Sequence, residues 1–277
     1  MINDNGIVVV AGATGNIGGK VVAELLRRGH RVRGLTRNPE RARLPDGAEV
    51  AVGDLADPET VRPALAGASA LFLLTYDAAT GAPLRSGPEL AKVVADAGVR
   101  RVTTLWGGET GPVEQAIADA GLAQTTLQAM EFMSNTLAWA ESVRAEGVVR
   151  EAFPEMRSAL IHEQDIAEVA ARTLTEDGHA GRDYVLTGSE VFTYADRVRV
   201  LGAGLGRDLR FIELTEEQAR ERMRQAGYSA EAVDHVIGWH ADPPREGYTV
   251  SPAVEQLLGR PARTFAQWVA EHADAFR

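Results

Sequence analysis

The stretch that most constrains this chain is Gly12-Ala13-Thr14-Gly15-Asn16-Ile17-Gly18-Gly19, set between an apolar run, Gly6-Ile7-Val8-Val9-Val10-Ala11, and a segment whose apolar residues Ile17, Val21, Val22, Leu25 and Leu26 recur at helical spacing. A continuous apolar run suits a strand buried on both faces of a parallel sheet. The helical segment stops at Gly29, a residue suited to a helix C-cap. Each glycine of the loop has a mechanical reason to be there. Gly12 allows the tight turn, Gly15 lets backbone approach a pyrophosphate without a Cβ in the way, and Gly18 lets the helix pack close to the strand. The helix N-terminus then presents free N–H groups and positive partial charge to an anion. Strand, glycine loop and helix together predict a dinucleotide lying across Gly12 to Gly18, with Thr14, Asn16 and Ile17 among the residues that hold it.

The pattern repeats downstream. Apolar segments at Arg31 to Leu35, Ala48 to Val52, Ala70 to Leu74 and Arg101 to Leu105 alternate with helical stretches at Pro58 to Leu65 and Pro88 to Ala97, followed by a helix at Val113 to Ala120 and a strand at Ala123 to Leu127. This alternation predicts an α/β fold, a Rossmann-type doubly wound parallel sheet. The expected division is a nucleotide-binding domain over residues 1–150 and a second part over 151–277. In that second part a helix at Glu163 to Leu174 and a strand at Asp183 to Leu186 return to the sheet. Around a short strand at Phe211 to Leu214, helices at Glu216 to Ala226, Ala230 to Trp239 and Phe265 to Ala273 form a smaller C-terminal α/β substrate lobe. Its residues from about 200 to 250 are expected to act as a lid.

At 277 residues, one large domain with an appended lobe is the natural organisation. The net charge of −10 argues against nucleic acid as a partner and points to a small molecule. No apolar stretch approaches the roughly 18 residues that span a bilayer. The absence of cysteine and of a signal-like N-terminus predicts a cytoplasmic protein without disulfides or thiolate chemistry. A homodimer is left open.

About 20 residues past the loop, where an NAD enzyme places a carboxylate on the ribose, the second strand ends Leu35-Thr36-Arg37-Asn38. The guanidinium of Arg37 is suited to a 2′-phosphate, so NADP(H) is the expected cofactor. Asp54, with Leu55 beside it, follows the third strand and could accept from the adenine amino group or serve as a turn and helix-cap aspartate. Leu74 and Thr75 end the fourth strand, where the nicotinamide half is expected, and Tyr76 follows as either a neutral proton donor or a packing residue. Trp106, Gln128, Met130, Phe132 and Met133 come at or after later strand ends and are expected to line an apolar substrate pocket, or to be plain core.

Together, Gly12 to Gly19, Leu35-Thr36-Arg37-Asn38-Pro39 and Gly53-Asp54-Leu55-Ala56-Asp57 resemble the NmrA-like atypical short-chain dehydrogenase/reductases. The resemblance continues through Glu114, Phe132-Met133-Ser134-Asn135, Asp165-Ile166-Ala167-Glu168-Val169-Ala170, Tyr184 to Gly188 and Gly259 to Phe265. It implies an NADP-binding Rossmann domain with a small substrate lobe, in a family that holds quinone and dye reductases beside catalytically silent redox sensors. Two departures bear on catalysis. Neither Lys20 nor Lys92 has a tyrosine four positions earlier, so the Tyr-x-x-x-Lys pair is absent, and Gln115 stands where several such reductases carry lysine after the glutamate matching Glu114. Where the family usually has Arg-Pro after the strand, this chain has Gln128-Ala129.

Other chemistry has little footing. The six histidines include no pair four apart on a predicted helix, so no metal site is expected, and no Gly-x-Ser-x-Gly elbow is present. His162 precedes a helix and reads as a backbone-bonded histidine or, second, as a proton donor. The expected activity is NADPH-dependent reduction of a quinone, enone or carbonyl group on an apolar or aromatic small molecule; the alternative is a non-enzymatic NADP(H)-sensing regulatory protein.

Overall fold

The computed structural model describes residues 6–76, 83–106 and 110–277. In chain order the first elements are β1 (Ile7–Val10), α1 (Asn16–Arg27), β2 (Arg31–Thr36), β3 (Glu49–Val52), β4 (Ala68–Leu74), α2 (Gly87–Asp96), β5 (Arg101–Leu105), α3 (Pro112–Asp119) and β6 (Ala123–Ala129). There follow α4 (Ala140–Glu146), β7 (Val148–Glu151), α5 (Glu163–Thr175), β8 (Arg182–Leu186), α6 (Tyr194–Leu205), β9 (Arg210–Glu213), α7 (Glu216–Gln225), α8 (Ala230–Ala241), α9 (Ala253–Leu258) and α10 (Phe265–His272).

Seven strands form one sheet in the order β3-β2-β1-β4-β5-β6-β8, and the pairs from β3 through β6 are parallel. Winding reverses between β1 and β4, which makes the fold doubly wound and puts its switch point beside the glycine loop. Alternate residues of each strand serve opposite faces. Val9, Leu71, Leu73 and Val102 pack under α2 and α3 with Leu90, Val94, Val113 and Ile117, while α1 and α5 pack on one another over the other face.

The stretch Pro58 to Leu65 is not the expected α-helix but two 3₁₀ turns, Pro58–Thr60 and Arg62–Leu65. Pro63 cannot donate a backbone hydrogen bond and its ring blocks the preceding turn, so an α-helix cannot run through it.

The chain divides into two compact units, one of residues 1–129 and 163–185, the other of 130–162 and 186–277. The break therefore falls after Ala129, where β6 ends, rather than near residue 150. The first unit regains α5 and β8 because α5 packs on α1 and β8 adds to the sheet beside β6, as expected from the apolar pattern. The second unit is built on a parallel pair, β7 with β9, and an aromatic core of Trp139, Phe192, Tyr194, Phe265, Trp268 and Phe276. α6 opens with a capping box: Thr193 accepts from the Asp196 backbone N–H while the Asp196 carboxylate accepts from that of Thr193. Among the described residues no helix is long and apolar enough to cross a membrane.

Candidate functional site

In the first unit the loop after β1 has the form a phosphate requires. Gly12 sits at φ 64°, in the left-handed region that favours glycine, and the Gly15 N–H donates to its carbonyl at 2.8 Å. Thr14, Gly15 and Asn16 are exposed while Ala13, Ile17 and Gly18 are buried, so the loop is anchored below and open above. Gly15 is the N-cap of α1 and supplies no side-chain cap, and a helix start of this kind suits an anion. Gly18 is the tightest point. A Cβ there would lie 2.1 Å from the Gly12 carbonyl oxygen, and one on Gly12 would lie 2.6 Å from Leu74 Cδ1. These clearances fit a dinucleotide cradle, and Leu74 touches it from the end of β4. Gly18→Ala is expected to push the loop away from the helix, at a cost of about 1–3 kcal/mol in stability and with weakened dinucleotide binding. Paired thermal unfolding and cofactor titration check both effects.

The next strand ends supply the other predicted residues of this unit. Arg37 is exposed immediately after β2. Asp54 follows β3, and its Oδ1 accepts from the Ala56 N–H at 3.0 Å, so one carboxylate oxygen is already engaged in a turn. Leu55 is half-buried, and its carbonyl accepts from the Ser86 hydroxyl at 2.6 Å, tying the loop after β3 to the start of α2. At the end of β4, Leu74 and Thr75 are buried, and the Thr75 hydroxyl donates to the Leu105 carbonyl at 3.3 Å. Tyr76 is half-buried and paired with Pro83, and burial raises its phenol pKa. Trp106 leaves β5 with its backbone N–H bonded to the Leu127 carbonyl at 3.0 Å, and Gln128 is half-buried near the end of β6.

Met130, Phe132 and Met133 belong to the second unit. Phe132 forms a bridge with Ile161, the Met133 N–H donates to the Ile161 carbonyl at 3.0 Å, and Met133 is buried while Met130 and Phe132 are half-buried. Between them lies a residue that the sequence reading missed, Glu131, which is buried and accepts from Arg197 Nη1 at 2.8 Å. The guanidinium of Arg197 also donates to the Thr136 hydroxyl at 3.1 Å and lies over the rings of Trp139 and Tyr194, 4.6 and 5.1 Å from their centroids. Beside them, burial lowers the pKa of His240 and raises that of Tyr194 well above the ordinary value. A lone glutamate between two apolar residues carries no sequence signal for such a pair, because its partner lies 66 positions away. His162 is buried and its Nε2 lies 3.2 Å from the Glu271 carboxylate, so it has a side-chain partner.

Comparison with known proteins agrees with this geometry. Residues 12–151 match a family described as NAD(P)H-binding. The (4-alkanoyl-5-oxo-2,5-dihydrofuran-3-yl)methyl phosphate reductase of Streptomyces griseus is 37% identical, the alignment covering 98% of this chain and 99% of that one. The NAD(P)H azoreductase of Xenophilus azovorans is 31% identical over 98% of this chain and 99% of its own. Among solved structures, the Escherichia coli NADPH-dependent quinone oxidoreductase complexed with NADPH superimposes with a TM-score of 0.83 at 24% identity, covering 96% of this chain and 99% of that one, a likeness of fold. A glycine cradle at the switch point of a doubly wound sheet, matched over nearly the whole length by two reductases, identifies the chain as an NAD(P)H-binding oxidoreductase of the NmrA-like atypical short-chain dehydrogenase/reductase family.

Proposed function

We propose that this protein is an NADPH-dependent reductase of a quinone, enone or carbonyl group on an apolar or aromatic small molecule. The observation that carries the cofactor half is the end of β2, where an exposed Arg37, and no carboxylate, follows the strand beside the glycine loop. A guanidinium pairs with a 2′-phosphate through a planar fork that the ribose hydroxyl of NADH cannot engage. The acceptor half is supported by the relatives. One reduces, by its name, an oxo-dihydrofuran bearing an alkanoyl group, and another is an azoreductase.

In this reading Gly12, Thr14, Gly15, Asn16, Ile17 and Gly18 hold the pyrophosphate, Arg37 the 2′-phosphate, Asp54 and Leu55 the adenine, and Leu74 and Thr75 the nicotinamide half. The bound cofactor supplies a hydride. The chain's own residues orient and protonate: Trp106, Gln128, Met130, Phe132 and Met133 contact the acceptor, and Tyr76 is the candidate proton donor. The loss of the Tyr-x-x-x-Lys pair fits activated acceptors, for which positioning carries most of the catalysis. A cytoplasmic setting belongs to the same reading and is supported by the cysteine-free sequence.

NADPH is expected to bind more tightly than NADH. In Arg37→Ala the NADPH affinity should fall roughly ten- to a hundredfold, from the loss of about 1.5–3 kcal/mol of charge-assisted hydrogen bonding, with NADH unchanged. Titrating both cofactors onto both proteins tests this; equal affinities in the wild type would refute the NADPH assignment. Spectrophotometric NADPH oxidation against a panel of quinones, enones and azo dyes tests the acceptor class.

A further inference from the structure

Among the described residues, buried polar atoms without a hydrogen-bond partner include the indole Nε1 of Trp106 and that of Trp268. The two differ in setting. Trp268 is fully buried in the aromatic core of the second unit, its ring stacked on those of Phe265 and His272 at centroid distances of 5.9 and 4.2 Å. Trp106 is only half-buried, and it stands one residue past the carboxyl end of β5, the side of an open α/β sheet where ligands bind.

Its position is fixed from both sides within the first unit. Its backbone N–H is bonded to Leu127 of β6, and on the other side Leu74 pairs with Leu105 while the Thr75 hydroxyl donates to the Leu105 carbonyl at 3.3 Å, directly before Trp106. Leu74 in turn reaches the glycine loop at Gly12. A shielded N–H left unpaired carries a desolvation cost, and that cost is recovered when a ligand atom accepts from it. An indole N–H donates only and does not ionise, so the atom that satisfies it must carry a lone pair.

We propose that the Trp106 indole N–H donates a hydrogen bond to the oxygen of a carbonyl or quinone acceptor and stabilises the negative charge that develops there. The inference rests on the reductase reading and narrows it, since it requires an oxygen acceptor on the flat apolar substrate. In the reduction, a hydride from NADPH, which leaves as NADP⁺, forms a C–H bond at the acceptor's electrophilic carbon while the acceptor's π bond breaks; that pair moves onto oxygen, which takes a proton from Tyr76 or water. Trp106 supplies no proton. It holds the oxygen while the charge is present, as a preorganised oxyanion donor does.

The test uses the full chain with ¹⁵N-labelled tryptophan, whose four indole N–H signals are few enough to resolve, with Trp106→Phe assigning the signal of interest. The protein holds no cysteine for a quinone to alkylate, so 1,4-naphthoquinone is a clean probe, and naphthalene is its shape-matched control without oxygen. With NADP⁺ bound, naphthoquinone should move the Trp106 N–H proton downfield while naphthalene leaves it in place. In steady-state assays Trp106→Phe should lower kcat at least about tenfold, leave the NADPH Kd unchanged, and be partly rescued by Trp106→His, which keeps a ring N–H.

No response to saturating naphthoquinone, or an equal response to naphthalene, overturns the proposal. So does a shift already complete with NADP⁺ alone, which would give the donor to the cofactor. If none of the acceptors tested supports NADPH oxidation by the wild type while the Trp106 signal still responds selectively to naphthoquinone, the hydrogen bond to the oxygen stands and the reductase reading fails.

Discussion

Arg197→Met is expected to destabilise the protein by about 3–5 kcal/mol, the largest loss of stability we foresee from one substitution. Arg197 and Glu131 are 2% and 8% exposed at their side chains, with Nη1 and Oε1 2.8 Å apart. Removing the guanidinium leaves a carboxylate buried without its cation, which is the costly half of such a pair. It also removes the hydrogen bond to Thr136 and the cation over Trp139 and Tyr194. Methionine keeps much of the side-chain volume, so the loss reads the charge rather than a cavity. The companion Glu131→Gln/Arg197→Met should recover a large part of it, because no uncompensated charge remains. Urea unfolding followed by tryptophan fluorescence measures both. A single-variant loss below about 1 kcal/mol would show that the pair is not desolvated as its burial indicates. Glu131 lies between Met130 and Phe132, and the Ile161 N–H donates to its carbonyl at 2.8 Å. The pair therefore also holds the turn that carries three of the proposed substrate residues, and KM should rise in the single variant at temperatures where it remains folded.

The contrast between this pair and the glycine loop shows where the sequence was legible. Local rules place the loop: an apolar run, glycines at fixed spacing and a 3.6-residue period meet within 20 residues, and β1 and α1 follow them. β1 and most of β4 are legible for the same reason, because burial on both faces demands unbroken apolar runs; β5, Arg101–Leu105, mixes Thr103 and Thr104 into its run and still falls where its residues predict it. The Pro58 to Leu65 stretch departs from the expected helix because Pro63 interrupts it, whatever the spacing of its apolar residues. In the second unit, α6 was missed although its Thr193 and Asp196 capping box stands in the sequence. β7 was missed because Val148–Glu151 is short and partly polar, and its partner β9 lies some 60 residues on. Non-local pairing of that kind, like the Glu131–Arg197 contact, has no signature within either segment. The same limit applies at the strand ends. Spacing puts Trp106 there, but only the folded chain shows that its indole N–H is shielded and has no partner among the described residues.

Tyr76→Phe is expected to lower kcat by roughly 10²- to 10⁴-fold on an acceptor that the wild type reduces, with little change in the NADPH Kd, if the phenol gives its proton to the reduced oxygen. Tyr76 directly follows the buried Leu74 and Thr75 at the end of β4, and pairing with Pro83 fixes its backbone. With no Tyr-x-x-x-Lys lysine in the sequence, nothing of that kind draws its pKa down, and burial raises it. The sign matters for the pH profile. A phenol ordinarily titrates near 10, and a raised value keeps the donor protonated through neutral and mildly alkaline pH, so the wild-type kcat should be flat there and fall only above about pH 10. Phenylalanine keeps the ring and its packing and removes only the hydroxyl, so a packing role predicts a change within a factor of about three, whereas a proton-donor role predicts the larger loss. The two roles also differ in rate-limiting chemistry. In wild type a solvent deuterium isotope effect on kcat should accompany proton transfer from the phenol, and in Tyr76→Phe the residual rate should depend on buffer acid concentration, as water or buffer takes over the donor's part. A Tyr76→Phe enzyme with near-wild-type kcat and the same isotope effect would remove the phenol from the mechanism and leave water as the proton source, with Trp106 still holding the oxygen.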